Sequence, residues 1–207
     1  MRPSSRRAVL SAAIMLTAPP AFAQGTANQG TTPSSVVDTF HATLLETMRE
    51  ARALGPHGRE RRLRPAMQAA FDLPAMTRIA VGPPWTGLAE PDRAALVSAF
   101  SEWVVATYAN RFDGYAGETF RDGGENTLQN GDRLVRTQLV RTDDAPVQLN
   151  YLLRGSEGRW RVVDVYLNGA ISELASRRSD FTSVLRDGGA PKLTAELRRR
   201  TAALLGG

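Results

Sequence analysis

The sequence predicts an α+β fold in which a curved antiparallel sheet of about four strands, within residues 116–167, is enclosed by helices before and after it. Two observations support this prediction. Apolar residues recur with the helical period of about 3.6 from residue 34 to residue 110, and the period falls to about 2 between residues 114 and 167. Helical spacing then returns and continues to the C-terminus. This order of helices, strand meander and helices is typical of α+β domains.

The first 23 residues have the pattern of a cleaved signal peptide. Three arginines precede an apolar run over residues 8–18, which is too short to span a bilayer, and residues 21–23 (AFA) form a small-x-small cleavage site. We therefore expect cleavage after Ala23 and a periplasmic location. The adjacent Arg6 and Arg7 also resemble a twin-arginine signal, so export by the Sec route and by the twin-arginine route are both open.

The remaining residues have the length of one domain. Residues 24–33 are polar and rich in Gly and Thr, which predicts a flexible linker, and residues 34–207 are expected to form one domain and a monomer. The formal net charge of +5 falls to +2 without the three arginines of the signal peptide, so the composition does not indicate a nucleic-acid partner. The chain has no cysteine, which excludes disulfides and thiolate chemistry.

Four helices are predicted before the sheet. The first begins at Ser34 or Ser35 and ends at Gly55-Pro56, and a charged surface stretch follows over residues 57–62. The next three helices are expected over residues 63–71, 73–81 and 91–110. The apolar face of the first helix consists of Val37, Phe40, Leu44, Met48, Ala51 and Leu54. That of the fourth consists of Leu96, Phe100, Trp103, Val104, Tyr108 and Phe112.

Alternating polarity predicts the strands. Val147, Leu149 and Tyr151 fall on one side of the central strand and polar residues fall on the other, as in an antiparallel sheet with one face on a core. The four strands are expected over residues 118–123, 134–141, 147–154 and 160–167. Two helices close the chain over residues 171–186 and 191–205, with Gly188-Gly189 between them.

Catalytic motifs are absent from the sequence. The two histidines, His41 and His57, do not have metal-binding spacing, and there is no nucleophile elbow or phosphate-binding loop. A small enzyme would require His41, Tyr151, Asp164 and Tyr166 to converge in a closed pocket. We expect instead that His41 is an ordinary helix residue and that Asp164 lies on the outward face of its strand or pairs with an arginine. The sequence therefore predicts no catalytic residue, no metal site and no cofactor.

Long apolar side chains are abundant in both halves of the chain. They suit a filled core and a lipid pocket equally, because an acyl chain is held by apolar burial alone, worth about 0.8 kcal/mol per methylene, and needs no motif. We expect a lipid-binding pocket to be lined by Phe40, Leu44, Met48, Met76, Ile79, Trp85, Phe100, Trp103, Val104, Tyr108, Leu139, Leu149, Tyr151, Val163 and Val165.

Two segments of the chain resemble the MlaC family of periplasmic phospholipid-binding proteins, also called the toluene-tolerance family. The first runs from Phe71 to Tyr115 and contains FD before a short helix, VG three residues ahead of Trp85, and PDR at the start of the long helix. The second runs from Trp160 to Arg186 and contains WRVVDV, GAIS and RRSDF. The phrases FDLPAMTRIAVGP, FDGY and ISELASRRSDF most resemble the hopanoid-biosynthesis-associated branch, HpnM.

The resemblance implies a deep apolar pocket for the acyl tails of a phospholipid, with the head group at its mouth. It also implies a non-catalytic carrier that moves lipid between an inner-membrane ABC transporter with an MCE-domain component and an outer-membrane lipoprotein complex. The HpnM likeness adds a hopanoid as a cargo. Partner docking is expected around the mouth, with Arg59, Arg61 and Arg62 contributing. The alternatives are an accessory factor or small α+β enzyme that acts on a lipid or hopanoid, and a scaffold protein with a filled core.

Overall fold

The computed structural model describes residues 31–142, 144–156 and 158–206, so the predicted signal peptide lies outside the described residues. The helices are α1 (Pro33–Arg49), α2 (Ala51–Ala70), α3 (Leu73–Val81), α4 (Glu90–Arg111) and α5 (Glu173–Leu205), with a short 3₁₀ helix at Pro83–Gly87. The strands are β1 (Thr119–Thr127), β2 (Arg133–Val140), β3 (Val147–Ser156), β4 (Arg159–Leu167) and β5 (Ile171–Ser172). The predicted α+β class is confirmed.

The first predicted helix is divided in the structure. Helix α1 begins at Pro33, one or two residues before the expected start, because the Thr32 side chain accepts a hydrogen bond from the backbone N–H of Ser35 and caps the helix. It ends at Arg49 instead of Leu54, and α2 starts at Ala51. The predicted break at Gly55 exists as a kink inside α2, where Gly55 has a φ of 62°.

The charged stretch over residues 57–62 lies on the surface only in part: His57 and Arg61 are exposed as predicted, and the middle of the stretch is not. It is helical, and Arg59 and Glu60 are buried. Arg59 donates from Nε to the carbonyl of Ala109 at 2.7 Å and from Nη1 to the carbonyl of Ala51 at 3.0 Å. The carbonyl of Ala109 lies in the last turn of α4, where the helix supplies no partner of its own, and that of Ala51 lies four residues before Gly55 at the α2 kink. Arg59 is therefore a structural residue and is not available for the predicted partner docking.

The helices that lead to the sheet agree well with the sequence pattern. Helix α3 has the predicted bounds, and the Asp72 carboxylate caps it by accepting a hydrogen bond from the N–H of Ala75 at 2.9 Å. Helix α4 extends the predicted 91–110 by one residue at each end. Its main partner is α5, and it also packs against α2 and α3.

The sheet is antiparallel throughout, in the order β1-β2-β3-β4-β5. The four predicted strands are present, and β5 is an addition: Ile171 and Ser172 pair with Leu167 and Tyr166 before α5 begins. A β-bulge between Leu152 and Leu153 leaves one extra residue on β4. The two predicted C-terminal helices form α5, whose backbone is non-helical at Gly188 and Gly189.

The helices pack on the sheet face that carries the alternating apolar residues of β3. Leu149, Tyr151 and Leu153 are all buried there, together with Phe40 of α1 and Leu63 of α2. No helix in the described part of the chain is long and apolar enough to cross a membrane. The apolar side chains therefore face the interior between helices and sheet, where the candidate site lies.

Candidate functional site

A cavity of about 310 Å³ lies between α4 and the sheet, with α5 along one side. Helix α4 contributes one face, because its lining residues are spaced by three or four positions. These α4 residues are Phe100, Trp103, Val104, Thr107, Tyr108 and Arg111. The sheet contributes Leu139, Val147, Leu149, Val165 and Leu167. Met76, Phe112, Glu173, Leu174 and Arg177 complete the lining, so the wall is apolar except for a few groups.

The volume of the cavity indicates the size of its occupant. An engineered apolar cavity of about 150 Å³ holds one benzene molecule. A cavity of about 310 Å³ is about twice as large and has room for roughly a dozen carbon atoms on that scale. This is the size of a long segment of one acyl chain, or of part of a fused ring system.

The polar groups of the cavity form one cluster. Glu173 lies between two arginines: its Oε1 is 3.6 Å from Nη1 of Arg111, and its Oε2 is 3.6 Å from Nη2 of Arg177. The Arg177 guanidinium also lies over the Trp103 ring, with 5.2 Å from Cζ to the ring centroid. All three charged side chains keep contact with solvent, so this cluster marks the mouth of the cavity. We call Arg111, Glu173 and Arg177 the mouth triad.

Tyr108 of α4 lines the cavity and is influenced by the charges of Arg111 and Glu173. Burial raises the pKa of Tyr108; the charge of Arg111 opposes this rise and that of Glu173 adds to it. Tyr108 is therefore a neutral phenol at physiological pH. It can donate a hydrogen bond to an occupant, but it cannot act as a base.

A packed aromatic cluster lies next to the cavity. His41 Nε2 is 3.0 Å from the hydroxyl of Tyr151, and the His41 ring stacks on Phe120 with centroids 3.6 Å apart. Phe40 makes edge contacts with Phe71 and Tyr151. Burial lowers the pKa of His41 to about 3, so the imidazole is neutral at physiological pH. We call these five residues the aromatic floor; none of them lines the cavity.

The four residues that a small enzyme would need are separated by the sheet. His41 and Tyr151 meet, but Asp164 and Tyr166 alternate with Val165, the cross-strand partner of Tyr151, and so project from the opposite face. Asp164 lies on the outward face of the sheet, as predicted, although β5 and α5 shield it from solvent. It is buried, and it accepts hydrogen bonds from the hydroxyl of Ser172 at 2.5 Å and from the N–H of Val165 at 2.8 Å. Burial raises the pKa of Asp164, and these hydrogen bonds oppose the rise. Asp164 thus ties β5 and the start of α5 to the sheet.

The structure brings eight of the fifteen expected pocket residues to the cavity. They are Met76, Phe100, Trp103, Val104, Tyr108, Leu139, Leu149 and Val165. The other seven lie elsewhere. Phe40, Leu44, Met48 and Tyr151 are packed in the core, Val163 is the extra residue of the β4 bulge, and Ile79 and Trp85 pack against the core from outside the cavity.

The mouth triad was missed because the expected pocket contained apolar residues alone. The helical spacing contained a signal for part of it: the α4 stripe that passes through Trp103 and Val104 continues to Thr107 and Arg111. Glu173 and Arg177 are four residues apart and share one face of α5, but no sequence pattern placed that face beside α4. Among the described residues, no group of three metal-ligating side chains could hold a metal ion.

Comparisons with known proteins agree with this architecture. The family model described as MlaC protein matches residues 38–199. Among solved structures, the fold is similar to that of the phospholipid-binding protein from Ralstonia solanacearum in complex with a phospholipid. The TM-score is 0.71 at 22% sequence identity, over 86% of this chain and 99% of that chain. No curated protein matches the chain. The match to the family model extends over most of the described residues, and the chain belongs to the MlaC family.

Proposed function

We propose that this protein is a periplasmic phospholipid carrier that holds an acyl chain in the cavity and the head group at the mouth triad. The cavity is the observation that carries the proposal, because it is an apolar space of about 310 Å³ with its polar groups at one end. Membership of the MlaC family and the similarity in fold to a protein in complex with a phospholipid support the same function.

The energetics of the cavity suit a lipid tail. Burial of about a dozen methylenes, at about 0.8 kcal/mol each, favours binding by roughly 10 kcal/mol before the entropy of association is subtracted. This energy depends on contact area and not on directional bonds, so one cavity accepts acyl chains of different structure. A second acyl chain would require the walls to separate, because the first chain fills the space.

The mouth triad suits an anionic head group. Two guanidinium groups face one carboxylate, so the cluster carries one excess positive charge. Arg111 and Arg177 each make a contact of 3.6 Å with Glu173, longer than a direct hydrogen bond, so a phosphate can compete for their donors. We infer that the phosphate of the cargo binds between these arginines.

We further propose that the protein shuttles its cargo between an inner-membrane ABC transporter with an MCE-domain component and an outer-membrane lipoprotein complex. The shuttling rests on the MlaC family, and the assignment of residues 1–23 to a signal peptide for export rests on the sequence pattern of those residues. The likeness to the HpnM branch makes a hopanoid the second candidate cargo. A carrier needs no catalytic group, and the separation of Asp164 from His41 and Tyr151 favours a binding protein over an enzyme.

Native mass spectrometry of the protein isolated from its own periplasm tests the proposal. We expect one lipid per chain, and tandem mass spectrometry of the released lipid then identifies a phospholipid or a hopanoid. The Trp103→Arg variant places a charge in the cavity wall and is expected to be isolated without lipid while retaining its far-UV circular dichroism. Isolation of the wild-type protein without any lipid would contradict the carrier function.

A further inference from the structure

A second concave surface lies at the other end of the β3–β4 pair and is lined by four arginines. It encloses about 360 Å³ between the start of α3 and the β3–β4 hairpin. Its lining residues are Asp72, Pro74, Ala75, Arg78, Arg154, Arg159 and Arg161. We call this surface the arginine groove. Helix α3 contributes to both spaces from different faces: Ala75 and Arg78 line the groove, and Met76 lines the cavity.

The arginines of the groove are placed against their own repulsion. Arg154 and Arg161 are direct cross-strand partners, and Arg159 lies two positions from Arg161, on the same side of β4. Like charges directly opposite each other in an antiparallel pair destabilise the sheet. Arg78 adds a fourth positive charge from α3. Asp132 offsets the charge of Arg154, so the excess positive charge of the groove comes mainly from Arg78 and Arg161, and this excess favours a negatively charged ligand.

The carboxylates near the groove are already engaged. Asp132 makes two hydrogen bonds with Arg154, at 3.0 Å to Nε and 2.8 Å to Nη2. Asp72 lines the groove, but one of its oxygens caps α3 through the N–H of Ala75. Arg161 donates to the backbone carbonyl of Gln68 at 3.3 Å and forms no ion pair with an acidic residue in the part of the chain that the structure describes. Arg78 is exposed and forms no ion pair with any described acidic residue.

We propose that the arginine groove is a docking site for an acidic segment of a partner protein. Guanidinium groups bind carboxylates through paired hydrogen bonds, and several of them along a groove select a chain of carboxylates over a single one. The site does not depend on lipid binding in the cavity and therefore goes beyond the proposed carrier function.

A protein suits this groove better than a membrane surface does. The arginines line a concavity, whereas a bilayer presents a flat surface that reaches only its rim. Membrane-binding surfaces also combine basic residues with exposed apolar side chains that insert among the lipids. The large exposed apolar residues among those described are Tyr115, Leu128 and Ile171, and none of them lines the groove.

Fluorescence anisotropy with a labelled hexaglutamate peptide tests the proposal on the full mature chain. We expect the wild-type protein to bind this probe at low ionic strength and more weakly as salt is added. Arg78→Glu and Arg161→Glu are each expected to weaken binding about tenfold or more, the effect of losing a charge-assisted hydrogen bond. The matched control is Arg198→Glu, which makes the same charge change at an exposed position of α5 outside the groove. It should alter affinity by less than about twofold.

Three outcomes would overturn the proposal. Equal weakening by Arg198→Glu would show that the peptide responds to net charge and not to the groove. Binding of phosphatidylglycerol vesicles that depends on Arg78, without binding of the peptide, would assign the groove to a membrane. Saturation by inorganic phosphate alone, with no competition from the peptide, would make it a small-anion site. Native mass spectrometry of Arg78→Glu separates this proposal from the carrier function, because the variant should still retain its lipid.

Discussion

Two adjacent valines of α4 provide a sharp test of the cavity. Val104 lines the cavity and is 8% exposed, whereas Val105 is 1% exposed and packs into the core on another side of the helix. Substitution of either valine by phenylalanine adds about four carbon atoms. At position 104 these atoms enter open space, and at position 105 they enter a region that is already filled.

The cavity therefore predicts opposite results for the two variants. In Val104→Phe the added atoms displace about four methylenes of an acyl chain. At about 0.8 kcal/mol each, the loss is about 3 kcal/mol, or roughly 200-fold in lipid affinity. Its free energy of unfolding should stay unchanged or rise, because the new ring gains contacts. Val105→Phe should lower the free energy of unfolding by about 1–3 kcal/mol through overpacking, and should retain lipid where it folds.

Urea denaturation and binding of a fluorescent fatty-acid-labelled phospholipid measure the two quantities separately. The lipid should be removed before denaturation, because bound cargo would add its own stabilisation to the wild-type value. If Val104→Phe is destabilised as much as Val105→Phe, the space beside α4 is filled in solution and the cavity argument fails. If Val104→Phe keeps wild-type affinity, the lipid binds elsewhere.

Three further predictions concern single side chains. Folding lowers the pKa of His41 from 6.5 to about 3, so protonation of His41 favours the unfolded chain. The free energy of unfolding should therefore fall as the pH drops from about 6.5 toward 3. Urea denaturation at several pH values should show a smaller fall for His41→Phe than for the wild-type protein. Arg59→Met leaves the carbonyls of Ala109 and Ala51 without their donor and should lower the free energy of unfolding by about 2 kcal/mol or more, measured in the same way. Arg177→Ala should change the free energy of unfolding by less than about 1 kcal/mol, because the contacts of Arg177 are partly exposed. In the fluorescence binding assay, the same variant should bind an anionic phospholipid more weakly than the wild-type protein does, with a smaller effect on an uncharged lipid.

Local patterns in the sequence were sufficient for much of the fold. The period-2 alternation of Val147, Leu149 and Tyr151 identified β3 and its buried face, and the end of α3 followed from the helix stop at Gly82. Local patterns did not predict burial correctly where contacts between distant segments determine it. The stretch over residues 57–62 is highly charged, and only the carbonyls of other segments explain why Arg59 is buried within it.

The sequence predicted about half of the residues that line the candidate site. Periodicity identifies which face of an element is buried, but it does not reveal whether the space opposite that face is filled. Phe40 and Trp103 therefore had the same sequence signal, although Phe40 packs against Phe71 and Trp103 lines the cavity. The mouth triad depends on the contact between α4 and α5, which brings Arg111 to Glu173 across 62 positions of sequence. No local pattern contains that contact.

The difference between the packed and hollow parts of the interior follows from side-chain size along one strand. Helix α4 and the sheet are rigid, so their separation is set where the largest side chains meet. That place is the aromatic floor, where Phe40 lies 5.6 Å from the ring of Tyr108 and 6.5 Å from the ring of Tyr151. Further along β3 the inward residues are Leu149 and Val147, which are too short to fill the same gap. The cavity therefore lies where the inward side chains of β3 become too short to fill the space beneath α4.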